Sequence, residues 1–256
     1  MGKLRHIAFI CKEPERLSDF YQKFFGLEEV RVFPSGSRMV IDGLFNLAFL
    51  QQNAGKASVA GTHRSDGSEA DQTQGIAHYG FTVDNLDEAV SKLPPTLKRG
   101  DSPQVSAGVQ GAQGARPAEV RFIDPWGNNV DLSSRGFLGR EEKKLPGVRL
   151  AVVQVANPDE ACVFYRSQFD LAVVRREPDG SILLSDGTVN LALTGKQTLA
   201  RNGIQYFGIQ VENLPVVRQR LTEGGVEVFP VEGAPGQIRI SDPEGNQVVI
   251  SERGWP

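Results

Sequence analysis

One block of this chain occurs twice, and any fold for the sequence has to contain it twice. Asp124-Pro125-Trp126-Gly127-Asn128-Asn129-Val130-Asp131-Leu132-Ser133-Ser134-Arg135-Gly136-Phe137 returns as Asp242-Pro243-Glu244-Gly245-Asn246-Gln247-Val248-Val249-Ile250-Ser251-Glu252-Arg253-Gly254-Trp255. The offset is 118 residues, and eight of the fourteen positions are identical. A repeat on this scale means one supersecondary unit built more than once. Asp-Pro-x-Gly-Asn supplies a turn, and the apolar alternation after it reads as a strand.

Further repeats extend the match. Gly75–Val83 aligns with Gly203–Val211 at an offset of 128, while Phe20-Tyr21 and Asn46-Leu47-Ala48 return at an offset of 144 as Phe164-Tyr165 and Asn190-Leu191-Ala192. The falling offsets give the first half 16 extra residues before His78 and 10 more between His78 and Asp131. Each half divides again. Strand signals at His6–Ile10, Ala77–Val83, Leu150–Val155 and Tyr206–Val211 are each followed by apolar residues at helical spacing. In the first of these helices Leu17, Phe20, Tyr21 and Phe24 follow Pro14, with Gly26 as the stop. Leu86/Ala89/Val90/Leu93, Ala161/Phe164/Tyr165/Phe169 and Leu214/Val217/Leu221 mark the other three. Weaker strands follow, as at Arg38–Ile41, Asn46–Leu50, Val120–Ile123 and Asn129–Ser133. The unit is strand, helix, then a few strands, four times over.

This organisation, with its strand-plus-helix openings and Asp-Pro-x-Gly-Asn closing strands, resembles the vicinal oxygen chelate superfamily of glyoxalases, extradiol dioxygenases and bleomycin- or fosfomycin-resistance proteins. The resemblance covers nearly the whole chain. It implies an α+β fold in which four βαβββ units form two homologous paired-unit domains, here residues 1–136 and 147–256. Phe137 to Gly147 would link them. Each pair would make a curved sheet whose concave face can hold a metal.

Strand parity says which residues could do so. His6, Ala8 and Ile10 share one face, His78, Gly80 and Thr82 another, and Asn129, Asp131 and Ser133 a third. The opposite faces carry Ile7 and Phe9, Tyr79 and Phe81, Val130 and Leu132, which suit packing against helices. His6, His78 and Asp131 are thereby expected on the concave face. In metal-holding members of the family these places carry two histidines and a glutamate; Asp131 is one methylene shorter. The glyoxalase-type fourth ligand would fall at Ala48, which binds nothing. Three ligands leave open coordination positions, the arrangement associated with non-haem iron(II). Iron(II) is favoured, although manganese or zinc would satisfy the same residues. The competing reading is that the three are inherited residues hydrogen-bonding in an apolar cup. In the second half the equivalent places hold Leu150, Tyr206 and Val249, so one site per chain is expected; that copy is a scaffold, lid or dimer surface, which leaves a homodimer open.

Two further residues follow from the resemblance. Extradiol dioxygenases carry an acid/base histidine some fifteen residues before the second ligand histidine, and His63 stands there, in a Gly-, Ser- and Gln-rich segment that also reads as a solvated loop. That family often has a tyrosine ten residues before the carboxylate ligand, where this chain has Arg121, free to anchor an anionic substrate group or to pair with Glu119.

Composition narrows the function classes. With 28 basic and 31 acidic side chains the net charge is −3, and the one dense run, Gly139–Lys144, is mixed in sign and reads as a solvated linker. Nucleic acid and membrane are poor partners, and a small-molecule substrate fits. Apolar runs such as Leu150–Ala156 fall far short of the roughly 20 residues of a membrane span. Cys11 and Cys162 form no framework, which with the absence of a secretory signal makes a cytoplasmic protein the expectation. No dinucleotide fingerprint, phosphate loop, nucleophile elbow or HExxH motif is present. Trp126 and Trp255, beside turns, are read as packing residues. The expected chemistry is oxidative cleavage of a catechol-like aromatic. A glyoxalase-like lyase or isomerase and a non-catalytic binder of a hydrophobic or drug-like ligand are the alternatives.

Overall fold

Four units of identical order make up the chain in a computed structural model that describes residues 1–52, 75–97, 99–101, 119–196 and 203–255. The first is β1 (Gly2–Cys11), α1 (Pro14–Phe25), β2 (Glu28–Val32), β3 (Arg38–Ile41) and β4 (Asn46–Gln51). The second is β5 (Gly75–Val83), α2 (Leu86–Lys92), β6 (Arg99–Asp101), β7 (Val120–Ile123) and β8 (Asn129–Ser133). The third is β9 (Gly147–Gln154), α3 (Pro158–Phe169), β10 (Ala172–Arg176), β11 (Ile182–Ser185) and β12 (Asn190–Thr194). The fourth is β13 (Gly203–Gln210), α4 (Leu214–Glu223), β14 (Phe229–Pro230), β15 (Gln237–Ser241) and β16 (Gln247–Ser251). Units pair into two sheets of eight strands, ordered β2-β3-β4-β1-β5-β8-β7-β6 and β10-β11-β12-β9-β13-β16-β15-β14. The expected α+β architecture of two homologous paired halves is what forms.

Local chemistry sets these elements. Pro14 opens α1, whose Leu17, Phe20, Tyr21 and Phe24 are all buried, and Gly26 closes it at φ +67° with its N–H on the Gln22 carbonyl. In α3 the equivalent stop is Asp170, at φ +57°. The Asp-Pro-x-Gly-Asn turns are built identically. Asp124 N–H donates to Asn128 O at 2.9 Å, its Oδ1 accepts from the backbone of Trp126 and Asn128, and Gly127 sits at φ +89°. Asp242 repeats the pattern with Asn246, Glu244 and Gly245.

The halves share one hydrophobic core, which a reading as separate domains does not anticipate. Phe81 of β5 stacks on Phe169 of α3 at 3.9 Å, and Phe207 of β13 meets Phe9 of β1 and Tyr21 of α1 at 5.7 and 6.1 Å. Trp126 packs on Phe164 and Tyr165 of α3. Each half thus covers part of the other's sheet.

Polar pairs tie the halves together reciprocally. Arg5 Nη1 and Leu4 N–H donate to Asp186 Oδ2 at 2.7 and 2.9 Å. The repeat-equivalent Arg149 Nη1 and Val148 N–H donate to Asp42 Oδ2 at 2.9 and 2.6 Å. Tyr21 OH donates to Asp242 Oδ2 at 2.9 Å, and Tyr165 OH to Asp124 Oδ2. The linker joins in: Arg140 forks onto Glu28 and donates its N–H to Gly43 O, so the mixed-charge run is exposed but tethered.

Arg149→Met removes the cation from a carboxylate whose side chain has no exposed surface. Breaking one partner of a buried pair costs about 3–5 kcal/mol, so guanidinium denaturation is expected to show a loss of that order. A loss below about 1 kcal/mol would place the pair with exposed surface ion pairs instead.

Candidate metal centre

The site is laid out around a glycine. His6 on β1 and Asp131 on β8 lie opposite Gly80 from either side, and His78 stands two residues earlier on the same central strand β5. With no side chain on Gly80, the three flanking side chains can lean over the space above it. His6 Nε2 and His78 Nε2 are 3.3 Å apart, and His78 Nε2 is 3.3 Å from Asp131 Oδ2. One donor atom from each residue falls within 4.8 Å of the other two. All three are buried, at 3%, 5% and 2% exposure. The face expected from strand parity is the face on which they meet.

Two neighbours hold His6. Asn46, its register partner on β4, has Oδ1 at 2.7 Å from His6 Nδ1, and the Asn46 amide Nδ2 donates to Val40 O at 3.4 Å. The amide oxygen therefore faces the ring, which puts the proton on Nδ1 and leaves the Nε2 lone pair aimed at His78. Phe137 stacks on the other side of the imidazole at 4.8 Å with planes 2° apart. Rather than starting a linker, Phe137 is 1% exposed and closes this face. Burial above all lowers the His6 pKa to about 4, against the pull of Asp131 and Asn46, so the ring is neutral near pH 7.

Arg121 goes neither to Glu119 nor outward toward a ligand. Facing Asp131 across the β7–β8 ladder, it forks onto the carboxylate with Nε on Oδ1 at 2.5 Å and Nη2 on Oδ2 at 2.7 Å. Glu119 instead accepts from the N–H groups of Ser134 and Arg135. Burial pushes the Asp131 carboxyl up, but Arg121, His78 and His6 together hold it down at about 2. His63 lies outside the described residues.

The donor set suits a divalent metal. Two imidazole nitrogens, one with its tautomer fixed from behind, and one ionised carboxylate are a donor set that would leave a bound metal open positions. Ala48 sits at the fourth place, in an apolar patch with Ala8, Met39 and Leu50. The second half keeps the frame without the donors. Leu150 pairs with Asn190 as His6 does with Asn46, Tyr206 stands for His78, Val249 for Asp131, and Trp255 covers Gly208. Asn46, Gly80 and Phe137 were absent from the sequence-based site, although their partners Asn190, Gly208 and Trp255 in the repeat were the available signal.

The family model of the Glyoxalase/Bleomycin resistance protein/Dioxygenase superfamily matches residues 3–132. No curated protein matches the sequence. Among solved structures, the 2,3-dioxygenase LapB from Pseudomonas sp. KL28 is 15% identical, with 99% of this chain and 92% of that one aligned at a TM-score of 0.69. The Mn(II)-bound glyoxalase from Novosphingobium aromaticivorans is 15% identical over 98% and 83% of the two chains, at 0.71. Homoprotocatechuate 2,3-dioxygenase from Arthrobacter globiformis is 12% identical over 97% and 78%, at 0.67. Identities this low establish the fold alone.

A Cβ on Gly80 would lie 2.6 Å from the Phe137 ring. Gly80→Ala is expected to drive Phe137 off His6 and cost about 1–3 kcal/mol as overpacking, seen as a lowered Tm. An unchanged Tm with Phe137 still stacked in a crystal structure would contradict this account of the glycine.

Proposed function

The chain belongs to the Glyoxalase/Bleomycin resistance protein/Dioxygenase superfamily, and on that footing we propose that its first half is a metal-dependent, extradiol-type ring-cleaving dioxygenase for a catechol-like aromatic. The observation that carries the reading is the convergence of His6 Nε2, His78 Nε2 and the Asp131 carboxylate in one buried place with nothing to bind at Ala48. Three protein ligands rather than four favour chemistry that needs several exchangeable positions. A divalent metal held there, iron(II) by preference and manganese or zinc otherwise, would supply positions for two vicinal substrate oxygens and for dioxygen.

The chain's own residues prepare that place. Asn46 keeps the His6 proton on Nδ1, so the lone pair on Nε2 stays available at neutral pH. Phe137 prevents the ring from turning away. Ala8, Met39, Ala48 and Leu50 offer an apolar bed of the kind that receives an aromatic ring and keeps water out. His63, carried over from the family likeness, is the proposed acid/base for the substrate hydroxyl protons. Arg121, already engaged by Asp131, orients that carboxylate.

Elemental analysis of anaerobically purified protein beside His78→Ala tests the reading. About one equivalent of iron or manganese, lost in the variant, together with oxygen uptake on a catechol panel is the expected outcome. Zinc in that place would point to lyase or isomerase chemistry, and no metal after reconstitution would leave a small-molecule binder. Asn46→Ala is expected to weaken metal affinity by about 10- to 100-fold without unfolding the protein, measured by calorimetric titration.

A further inference from the structure

Arg121 and the carboxylate it grips form a closed pair beside the two imidazoles. The fork takes one lone pair on each oxygen of Asp131, at 2.5 and 2.7 Å, along the edge a metal would use to chelate both. Of the two lone pairs that remain, one on each oxygen, that of Oδ2 lies on the atom 3.3 Å from His78 Nε2. The pair is also electrically closed. Asp131 and Arg121 cancel, and the imidazoles bind metals as neutral ligands, so a divalent cation entering this buried place meets no net negative charge.

The second half shows what this arginine does without an acid. Arg239 occupies the equivalent position on β15, where its cross-strand partner is Val249. There it is exposed and lies over the Phe229 ring at 6.0 Å. The arginine is thus a property of the repeat, and the same strand position accepts an outward-turned side chain. The fork on Asp131 is one of two arrangements open to it.

We propose that Arg121 is a clasp on Asp131 that metal loading must loosen, and that it holds the affinity of the centre for divalent cations below what the two histidines and the carboxylate would give alone. The inference rests on the metal-centre reading above. It makes Arg121 a positioning residue that sets metal occupancy. Charge-assisted pairs of this kind are worth about tenfold or more in an equilibrium constant, which sets the size of the effect.

The test is titration of metal-stripped protein with Mn²⁺ alone, followed by calorimetry and by the electron paramagnetic resonance of free Mn²⁺. Wild type, Arg121→Met, Arg121→Lys and His78→Ala are compared, with circular dichroism as the control for folding. Arg121→Met is expected to bind Mn²⁺ about tenfold or more tightly than wild type. Arg121→Lys, which keeps the charge but cannot fork, is expected to fall between them and serves if the methionine variant fails to fold. Equal or weaker binding in whichever arginine variants fold, with binding abolished in His78→Ala, would overturn the clasp and leave the metal centre standing. Binding unchanged by His78→Ala would instead sink the metal-centre reading itself.

Discussion

Everything in this molecule follows from the pleat of its strands. Successive side chains must point to opposite faces, so a sheet that commits one face to a core has only the other for chemistry. Here the committed face is shared. Phe9, Tyr79, Phe81, Phe122, Val130 and Leu132 all face a core that includes α1 from one half and α3 from the other. Covering that face so thoroughly leaves His6, His78 and Asp131 no place but the opposite one, and Gly80, between His6 and Asp131 in the row, has no side chain to fill the space they share.

Buried carboxylates show how differently the chain treats structure and site. Asp42 and Asp186 are each neutralised by an arginine from the other half. Asp124 and Asp242 hold turn N–H groups and a tyrosine from the other half, and burial pushes both carboxyls upward despite those hydrogen bonds. At Asp131 a guanidinium and two imidazoles outweigh burial, so its carboxyl is held firmly ionised. An ionised carboxylate beside two imidazoles is a set of donors that a metal could use; a carboxyl pushed upward inside a turn is a structural anchor.

Much of this could be read from the chain itself. The repeats gave the four units, and parity gave the face, because the irregularities in the β1–β5 ladder fall at Leu4/His6 and Ala8/Phe9 and spare the stretch between. The ten residues from Arg121 to Asp131, spanning one tight turn, already placed the two opposite each other. Glu119 and a substrate group were the partners expected for Arg121, and the acid across the ladder is the partner it has. Phe137 looked like linker because it follows the last strand of its half, and only the fold returns it to His6. The pairs between halves were illegible, since Arg5 and Asp186 meet over 181 residues with no local pattern to connect them.

Those pairs carry a consequence for how such a chain can change. Arg5 and Asp42 both belong to the first half, Arg149 and Asp186 to the second; Tyr21 and Asp124, and Tyr165 and Asp242, divide in the same way. Either half therefore encodes both sides of the contact it makes, as the subunits of an isologous dimer do. The self-complementary surface is present in both halves, whereas the two histidines and the acid of the cup are present in one. The two copies differ in the cup, at Leu150, Tyr206 and Val249, and match at the seam, at Arg149, Tyr165, Asp186 and Asp242.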